Sequence, residues 1–325
     1  MKNYILLYGE KKLEDNILLK NMFENNEKIN IGWTDFDTTN NLKKIEEIIE
    51  ENKELKQIIF AGLELGWDKL IVYIKEKYGK LKIKVICNTT DSLLYYEYER
   101  NNFFRLLELS KENKIDNIAF LRRGQYEVYN KLGYKCSFLR QNYILDKKKK
   151  KEIKQKNDII DIGIYPLNYT WDENIFNQLC VGEMLEKVNI NYNALDKRMK
   201  EFLDTMQITN TEDKIEKVNE DNIINKLVKN DINISCAFTK YLHTIFFISM
   251  ELGIPCLIGN TSDLFEENEE IKKYIVTLAE DNAIINAQNI EKCLGNKEKI
   301  NTLYLKWKNK YNLIAQKSIE KFINE

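Results

Sequence analysis

The chain has 325 residues, 43% of them hydrophobic and 31% charged, with 50 basic and 51 acidic side chains. Its length favours two domains over a single core, and its near-neutral charge excludes a global field that would draw it to nucleic acid. No apolar run approaches the ~18 residues that span a bilayer. The run in MKNYILLYGEKK is too short for a signal peptide, so we expect a cytoplasmic protein with at most peripheral membrane association.

Short apolar runs alternate with amphipathic segments through the first half, which predicts a doubly wound parallel sheet. The predicted strands are residues 4–8, 29–33, 57–61, 82–87, 115–121 and 137–139. The predicted helices are residues 12–25, 42–55, 67–78, 93–109 and 126–132.

A charged segment, DKKKKKEIKQKN at residues 146–157, separates the two halves. Its lack of interleaved aromatic residues favours a solvated linker over a nucleic-acid patch. We therefore predict a first domain at residues 1–146, a linker at 147–157 and a second domain at 158–300, with a C-terminal helix at 301–325.

The same alternation resumes after the linker. The predicted strands are residues 159–165, 188–192, 207–209, 232–237, 255–258 and 275–278. The predicted helices are residues 171–186, 197–206, 219–229, 241–252, 266–274, 282–293 and 300–324. Gly253 and Pro255 are stop signals for the helix at 241–252, so residues 231–265 predict a strand–helix–strand unit with parallel strands.

Polar, aromatic and cationic side chains cluster where the predicted strands end, at the edge where open α/β sheets bind ligands. In the first half the residues at these strand ends are Gly62, Glu64, Trp67, Asn88, Thr89, Arg122 and Arg123. In the second half they are Tyr165, Asn168, Thr170, Trp171, Asn193, Thr239, Lys240 and Asn260. Such groups suit a ligand that carries hydroxyls and phosphate.

The start of the predicted helix at Tyr241, His243 and Thr244 favours an anion, because free N–H groups and the helix dipole point there and Lys240 adds a positive charge. His243 is either a ligand contact or a satisfied cap residue. Glu64, in a glycine-flanked loop, is either a general base or a structural carboxylate.

Signatures of common nucleotide and hydrolase chemistry are missing from the chain: it has no G-x-G-x-x-G, P-loop or G-x-S-x-G motif. Its single histidine disfavours Ser-His and Cys-His catalysis. The six cysteines are scattered without a C-x-x-C pair, which is typical of buried thiols in a reducing compartment. We predict neither a bound metal nor a cofactor.

Several stretches resemble GT-B glycosyltransferases of the family-4 type. MELGIP at residues 250–255, followed by CLIG, is similar to the end of the family's donor-binding helix. IGI at residues 162–164, with Trp171 and Asn174, resembles the start of its donor domain. IIFAGLELGWDKLI (58–71) and KIKVICNTTDSLL (82–94) resemble glycosyltransferase-like proteins of bacterial surface-polysaccharide loci.

The resemblance implies two Rossmann-like domains facing a central cleft, with the C-terminal helix packing back towards the first domain. It implies a nucleotide-sugar donor held by the second domain and a glycan, lipid-linked or protein acceptor held by the first, without a metal. The donor-binding set would be the second-half residues above together with Asn174, Tyr241, His243 and Thr244. The acceptor-binding set would be the first-half residues, with Glu64 as the catalytic candidate.

Three positions depart from the family's pattern. Lys240 and Ile248 stand where the family carries two glutamates in the donor helix, and Glu173 stands where it carries a basic residue. These departures favour an alternative hypothesis, a catalytically silent GT-B-like subunit that binds a protein partner in a glycosylation system.

Overall fold

The computed structural model describes residues 4–9, 22–23, 27–30, 40–142, 158–166, 169–193, 196–213, 220–239, 243–260 and 263–325. The chain divides into two compact units. The first, here called the N-unit, consists of Met1–Asn142 and Leu313–Glu325. The second, the C-unit, consists of Tyr143–Asn312.

The N-unit is built on one sheet whose strand pairs are all parallel, in the order β2-β1-β3-β4-β5-β6. The strands are β1 (Tyr4–Tyr8), β2 (Glu27–Asn30), β3 (Gln57–Ala61), β4 (Lys82–Cys87), β5 (Asn117–Phe120) and β6 (Cys136–Phe138). The helices described between them are α1 (Asn40–Glu51), α2 (Trp67–Lys77), α3 (Glu97–Lys111) and α4 (Arg123–Lys131).

The N-unit core follows from the pattern of these elements. Strand β3, QIIFA, is buried at every position, as expected for a strand of a parallel sheet with covered faces. Helix α2 buries Trp67, Leu70, Ile71 and Ile74, which share one face because they are three or four residues apart. The apolar faces of sheet and helices thereby pack into one cluster.

The C-unit has a second sheet of parallel pairs, in the order β12-β11-β10-β7-β8-β9. The strands are β7 (Ile160–Ile164), β8 (Val188–Tyr192), β9 (Asn210–Glu212), β10 (Ile232–Ser235), β11 (Cys256–Gly259) and β12 (Val276–Thr277). The described helices are α5 (Ile175–Leu179), α6 (Val181–Met184), α7 (Lys197–Thr205), α8 (Glu220–Leu227), α9 (Thr244–Glu251), α10 (Glu269–Ile275), α11 (Ala283–Gly295) and α12 (Lys297–Asn324).

A ladder of buried amide side chains runs through the middle of the C-unit sheet. Asn191 donates to Asn230 Oδ1 at 2.8 Å, Asn230 to Asn233 Oδ1 at 2.8 Å, and Asn233 to Ser249 Oγ at 2.7 Å. Gly163 on β7 leaves the space they need, since a Cβ there would lie 2.1 Å from Asn233 Oδ1. Buried amides cost free energy unless they are hydrogen-bonded, and the ladder meets that need.

Helix α12 has residues in both units. In the C-unit, Trp307 stacks on Tyr311 with ring centroids 4.4 Å apart. In the N-unit, the Ile323 carbonyl accepts hydrogen bonds from Gln57 Nε2 at 2.8 Å and from Lys84 Nζ at 3.1 Å. The last carbonyl groups of a helix have no partner within it, so the N-unit sheet caps the end of α12.

Most predicted elements are confirmed, and the strands at 4–8, 57–61, 82–87 and 188–192 have the predicted bounds. The predicted stop of the helix at 241–252 is also confirmed, because Gly253 has φ +74° and Ile254 N donates to Ser249 O at 3.0 Å. None of the helices within the described ranges is long and apolar enough to cross a membrane.

Three predicted elements are wrong in detail. The strand predicted at 207–209 lies at Asn210–Glu212, and Gln207 has φ +55°. The helix predicted at 93–109 is a 3-10 turn, Asp91–Tyr95, followed by α3. The helix predicted at 171–186 is broken at Asn174. Most of the helix predicted at 12–25, and the linker at 147–157, lie outside the described residues.

Candidate functional site

The strand order of the C-unit sheet places a topological switch point between β7 and β10. Strand β7 pairs with β8 on one side and with β10 on the other. The connections that leave the two strands' carboxyl ends therefore diverge, and ligands of open α/β sheets bind in the crevice formed there.

A pocket of about 380 Å³ is built from the segments that follow these two strands. It is lined by Tyr169, Thr170, Trp171, Asn174, Ile175, Phe176, Asn177 and Phe238. Trp171 is 50% exposed, and its ring centroid lies 6.1 Å from that of Phe238. Tyr169 meets Phe176 edge to face at 6.4 Å. Aromatic faces joined by a few amide and hydroxyl groups are typical of pockets that hold a ring.

Asn174 holds this pocket together. Its backbone is left-handed, with φ 55° and ψ 36°, between a 3-10 turn at Trp171–Glu173 and helix α5. Its buried amide donates to Cys236 O at 2.9 Å and to Glu280 O at 2.7 Å, and accepts from Asn177 Nδ2 at 2.6 Å. Because all three bonds are made inside the protein, Asn174 positions the loops after β7, β10 and β12 relative to one another.

The charges around the pocket come from the start of helix α7 and from the 3-10 turn at Trp171–Glu173. The Arg198 guanidinium lies 4.8 Å from the centre of the Tyr169 ring and donates to both Asp196 oxygens, at 2.8 and 3.0 Å. These hydrogen bonds lower the pKa of Asp196 to about 2. Asp172 and Glu173 are buried acids beside the lining, and Asp172 O accepts from Phe238 N at 2.8 Å, which joins the two walls.

Three of the residues predicted to bind the donor, Thr170, Trp171 and Asn174, line this pocket together. Tyr165 does not, because it is 3% exposed and donates to Asp213 Oδ2 at 2.7 Å. Its burial, with the Asp213 carboxylate, raises the pKa of the Tyr165 hydroxyl. Asn193 is also buried.

The predicted donor residues near helix α9 do not all lie where the sequence predicts them. The helix begins at Thr244 rather than at Tyr241, and His243 is its N-cap. Thr239, His243 and Thr244 are buried, whereas Asn260 is exposed. The predicted donor residues Asn168, Lys240 and Tyr241 lie outside the described residues.

The pocket also contains residues that were not predicted: Tyr169, Ile175, Phe176, Asn177 and Phe238. Tyr169 and Phe238 belong to the strand-end loops that the sequence does indicate, although neither is among the predicted binding residues. Phe176 and Asn177 fall within the continuous helix predicted at 171–186. The break at Asn174, which places them in the wall, depends on carbonyl groups that are distant in the sequence.

In the N-unit, β1 pairs with β2 on one side and with β3 on the other. The topological switch point of this sheet therefore lies between β1 and β3. Glu64 follows β3, and its Cγ would lie 3.4 Å from a Cβ built on Gly9, which follows β1. Tyr98 OH donates to Glu64 Oε2 at 3.1 Å. Burial, followed by the Glu64 charge, raises the pKa of Tyr98 to about 12, so the phenol remains a hydrogen-bond donor to this carboxylate.

The other residues predicted to bind the acceptor have mixed positions. Asn88 packs over Gly62, with Nδ2 2.8 Å from a Cβ built there. Thr89 is buried, and its hydroxyl donates to Glu99 at 2.7 Å. Trp67 has no exposed surface and packs against Phe60 in the core, so it presents no surface to an acceptor.

The two predicted arginines lie at the start of helix α4. Arg123 is the first residue of the helix and Arg122 is its N-cap. Arg123 pairs with Glu127 at 3.0 Å, one turn further on. Within the described ranges, no three His, Cys, Asp or Glu side chains are grouped as a metal site requires.

The fold of the chain is that of GT-B glycosyltransferases, with two parallel α/β sheets, which confirms the predicted fold class. The UDP-forming α,α-trehalose-phosphate synthase of Burkholderia xenovorans superposes with a TM-score of 0.69 at 9% identity, over 100% of this chain and 98% of that one. HepE from Anabaena, in complex with UDP-glucose, gives 0.68 at 8% identity over 99% of both chains. A glycosyltransferase from Rickettsia africae gives 0.66 at 13%, over 99% and 97%.

By sequence alone the chain has no such match. No protein-family model and no curated protein matches it.

Proposed function

We propose that the protein transfers a sugar from a nucleotide-activated donor to a glycan, lipid-linked or protein acceptor. The observation that carries this proposal is the aromatic pocket at the switch point of the C-unit sheet, where the fold binds ligands. The full-length similarity to HepE, whose complex contains UDP-glucose, supports it.

The pocket would hold a ring of the donor. The faces of Trp171 and Phe238 can stack on a nucleobase or on the C–H face of a sugar. Asn177 and Thr170 offer polar groups that fix its orientation. The backbone N–H groups at the start of α9 favour the diphosphate, where negative charge grows as the bond to the sugar breaks.

Glu64 would act on the acceptor. A carboxylate at the switch point of the N-unit sheet can accept the proton of an attacking hydroxyl. The hydrogen bond from Tyr98 holds it in one orientation. No described group of side chains suggests a metal ligand set, so we propose metal-independent transfer, which EDTA should leave unchanged. A cytoplasmic location, consistent with six free thiols, and a role in surface-polysaccharide synthesis are part of the proposal.

Calorimetry and thermal unfolding with UDP, ADP, GDP and their hexose derivatives test donor binding. We expect one nucleotide family to bind and to raise the unfolding midpoint, because a ligand at 100 times its Kd adds about 2.7 kcal/mol to stability. Trp171→Ala should weaken binding about tenfold or more, since stacking on an aromatic ring contributes about 1–3 kcal/mol.

Phe104→Ala is the matched control, because Phe104 is also 50% exposed but lies in the N-unit on α3. It should bind like the wild type. If no nucleotide or nucleotide sugar binds, the proposed function is wrong.

The alternative is a catalytically silent binding or partner subunit. It is favoured by Ile248, which is fully buried within an α9 whose residues from Thr244 to Met250 are all buried. Position 248 therefore supplies no carboxylate, and the buried Glu173 would place an acid near the proposed donor. A silent subunit would bind nucleotide without transferring or hydrolysing its sugar. Turnover by the wild type, followed as released nucleoside diphosphate, would exclude it.

A further inference from the structure

A carboxylate that the sequence did not indicate stands at the carboxyl edge of the C-unit sheet. Glu280 follows strand β12, and its side chain lies over Gly259, the last residue of β11. A Cβ on Gly259 would lie 2.8 Å from Glu280 Cγ and 3.0 Å from Oε1. Distances below 3 Å are shorter than van der Waals contact, so glycine at 259 is what admits the Glu280 side chain to this place.

Glu280 is fixed by hydrogen bonds at both its ends. Oε1 accepts the Asn260 backbone N–H at 2.6 Å. The backbone carbonyl of Glu280 accepts from Asn174 Nδ2 at 2.7 Å and from the buried Asn286 Nδ2 at 3.1 Å. Asn174 lines the aromatic pocket. The same amide that holds the pocket therefore sets the position of the carboxylate beside it.

The Glu280 carboxylate can accept further hydrogen bonds, and this indicates the kind of ligand that it would bind. A carboxylate accepts hydrogen bonds at two oxygens, and in the described part of the chain only Oε1 has a partner. Glu280 is half-buried, so Oε2 can accept from a ligand. A fixed negative charge repels phosphate and attracts hydroxyl donors.

We propose that Glu280 binds hydroxyl groups of the nucleotide-sugar donor, either those of the ribose or those of the transferred sugar. This inference rests on the proposed function. It assigns to the site a specificity-determining carboxylate on the loop after β12, a segment outside both the predicted donor residues and the pocket lining.

The test compares Glu280→Gln with Asp281→Asn by calorimetry, using UDP-glucose, ADP-glucose and GDP-mannose and the corresponding nucleoside diphosphates. Glutamine keeps an oxygen for the Asn260 N–H but removes the charge, so binding should weaken about tenfold, as for loss of a charge-assisted hydrogen bond. Asp281 is the exposed neighbour of Glu280, and its variant should bind like the wild type.

Comparing nucleotide sugars with nucleoside diphosphates shows whether Glu280 binds hydroxyl groups of the ribose or of the transferred sugar. Weaker binding of both the nucleotide sugar and its diphosphate assigns Glu280 to the ribose. Weaker binding of the nucleotide sugar alone assigns it to the sugar. Equal affinity of Glu280→Gln and wild type for every probe overturns the inference and leaves the proposed function intact, whereas a wild type that binds no probe overturns both.

A second measurement changes the ligand instead of the protein, so it remains informative even if Glu280→Gln fails to fold. The 2′-deoxy form of the bound diphosphate, or the 2-deoxy sugar nucleotide, removes one hydroxyl while the protein stays intact. If Glu280 binds that hydroxyl, the deoxy ligand binds the wild type more weakly, and Glu280→Gln has little further effect on it. Independent, additive losses would contradict a direct contact.

Discussion

At the scale of single residues, the space around a backbone position decides which side chains it tolerates. Gly163 lies in the middle of β7, where sequence reasoning reads it only as part of an IGI strand. Its Cα faces the amides of Asn230 and Asn233, which come from the loop before β10 and from β10 itself. Such a non-local contact has no sequence signal.

Gly163→Ala should destabilise the C-unit by about 1–3 kcal/mol, the usual cost of forcing extra atoms into a packed interior. Its Cβ would lie 2.1 Å from Asn233 Oδ1 and 2.2 Å from Asn230 Nδ2. Gly124→Ala is the control, because nothing lies within 4 Å of a Cβ there and α4 gains a better helix former. Urea unfolding would measure this loss as a lower midpoint for Gly163→Ala than for the wild type. A midpoint of Gly163→Ala equal to that of the wild type would refute the close packing of the amide ladder against Gly163.

The positions of Tyr165 and Trp67 show the limit of sequence prediction at this scale. Both follow or lie near strand ends, which was the reason to predict them as ligand contacts. Tyr165 turns inward because Asp213, at the end of β9, accepts its hydroxyl. Trp67 turns inward because it starts the buried face of α2. A strand end identifies the edge of the sheet but does not say which of its side chains face solvent.

At the scale of elements, the broken helix after β7 is the largest departure from prediction. Residues 171–186 have helical periodicity, but the left-handed Asn174 separates a 3-10 turn at Trp171–Glu173 from α5. The carbonyl groups that stabilise that conformation belong to Cys236 and Glu280, which are distant in sequence. The strands around the break were predicted correctly, because their apolar runs are local signals.

Variants of Asn174 should separate its backbone role from its side-chain role. Asn174→Gly removes the side-chain hydrogen bonds but still favours the left-handed backbone. Asn174→Ala removes the same hydrogen bonds and also disfavours that backbone. We expect both to abolish measurable nucleotide binding, and alanine to be less stable than glycine by about 1 kcal/mol, the cost of a left-handed conformation with a Cβ. Calorimetry and urea unfolding would measure these effects. Wild-type affinity in Asn174→Gly would show that the side chain does not organise the pocket.

The buried Lys84, whose ammonium group donates a hydrogen bond to the end of helix α12, makes the stability of the N-unit depend on pH. Burial, as the largest cause, lowers the pKa of Lys84 from its ordinary 10.5 to about 8. Between these values the unfolded chain binds more protons than the folded one, so the free energy of unfolding rises with pH from about 8 to about 10.5. The gain is on the order of 1–3 kcal/mol.

Lys84→Met should lack this rise, since methionine does not titrate. The difference in unfolding free energy between wild type and Lys84→Met, measured by urea unfolding from pH 7 to pH 11, isolates the lysine because all other groups titrate in both proteins. A difference that stays constant with pH would contradict the lowered pKa.

At the scale of the whole molecule, the two sheets preserve a glycosyltransferase fold with very little sequence in common. The identities of 8–13% to structures matched over nearly their full length mean that pattern, rather than particular residues, specifies the architecture. The alternation of strands and helices was therefore enough to predict two parallel sheets. The proposed functional residues are not specified by that pattern, which is why Glu280 and most of the aromatic lining are visible only in the structure.

If the N-unit supplies the general base and the C-unit binds the donor, variants in the two units should affect different kinetic quantities. Glu64→Gln should lower the rate of sugar transfer about 100-fold or more, the usual contribution of a general base, and leave the Kd for nucleotide unchanged, because Glu64 belongs to the N-unit. Trp171→Ala should instead raise that Kd. Glu54→Gln, at an exposed N-unit carboxylate, is the control and should transfer at the wild-type rate. Transfer by Glu64→Gln at the wild-type rate would assign Glu64 a structural role in its loop, and the proton acceptor would have to be sought elsewhere.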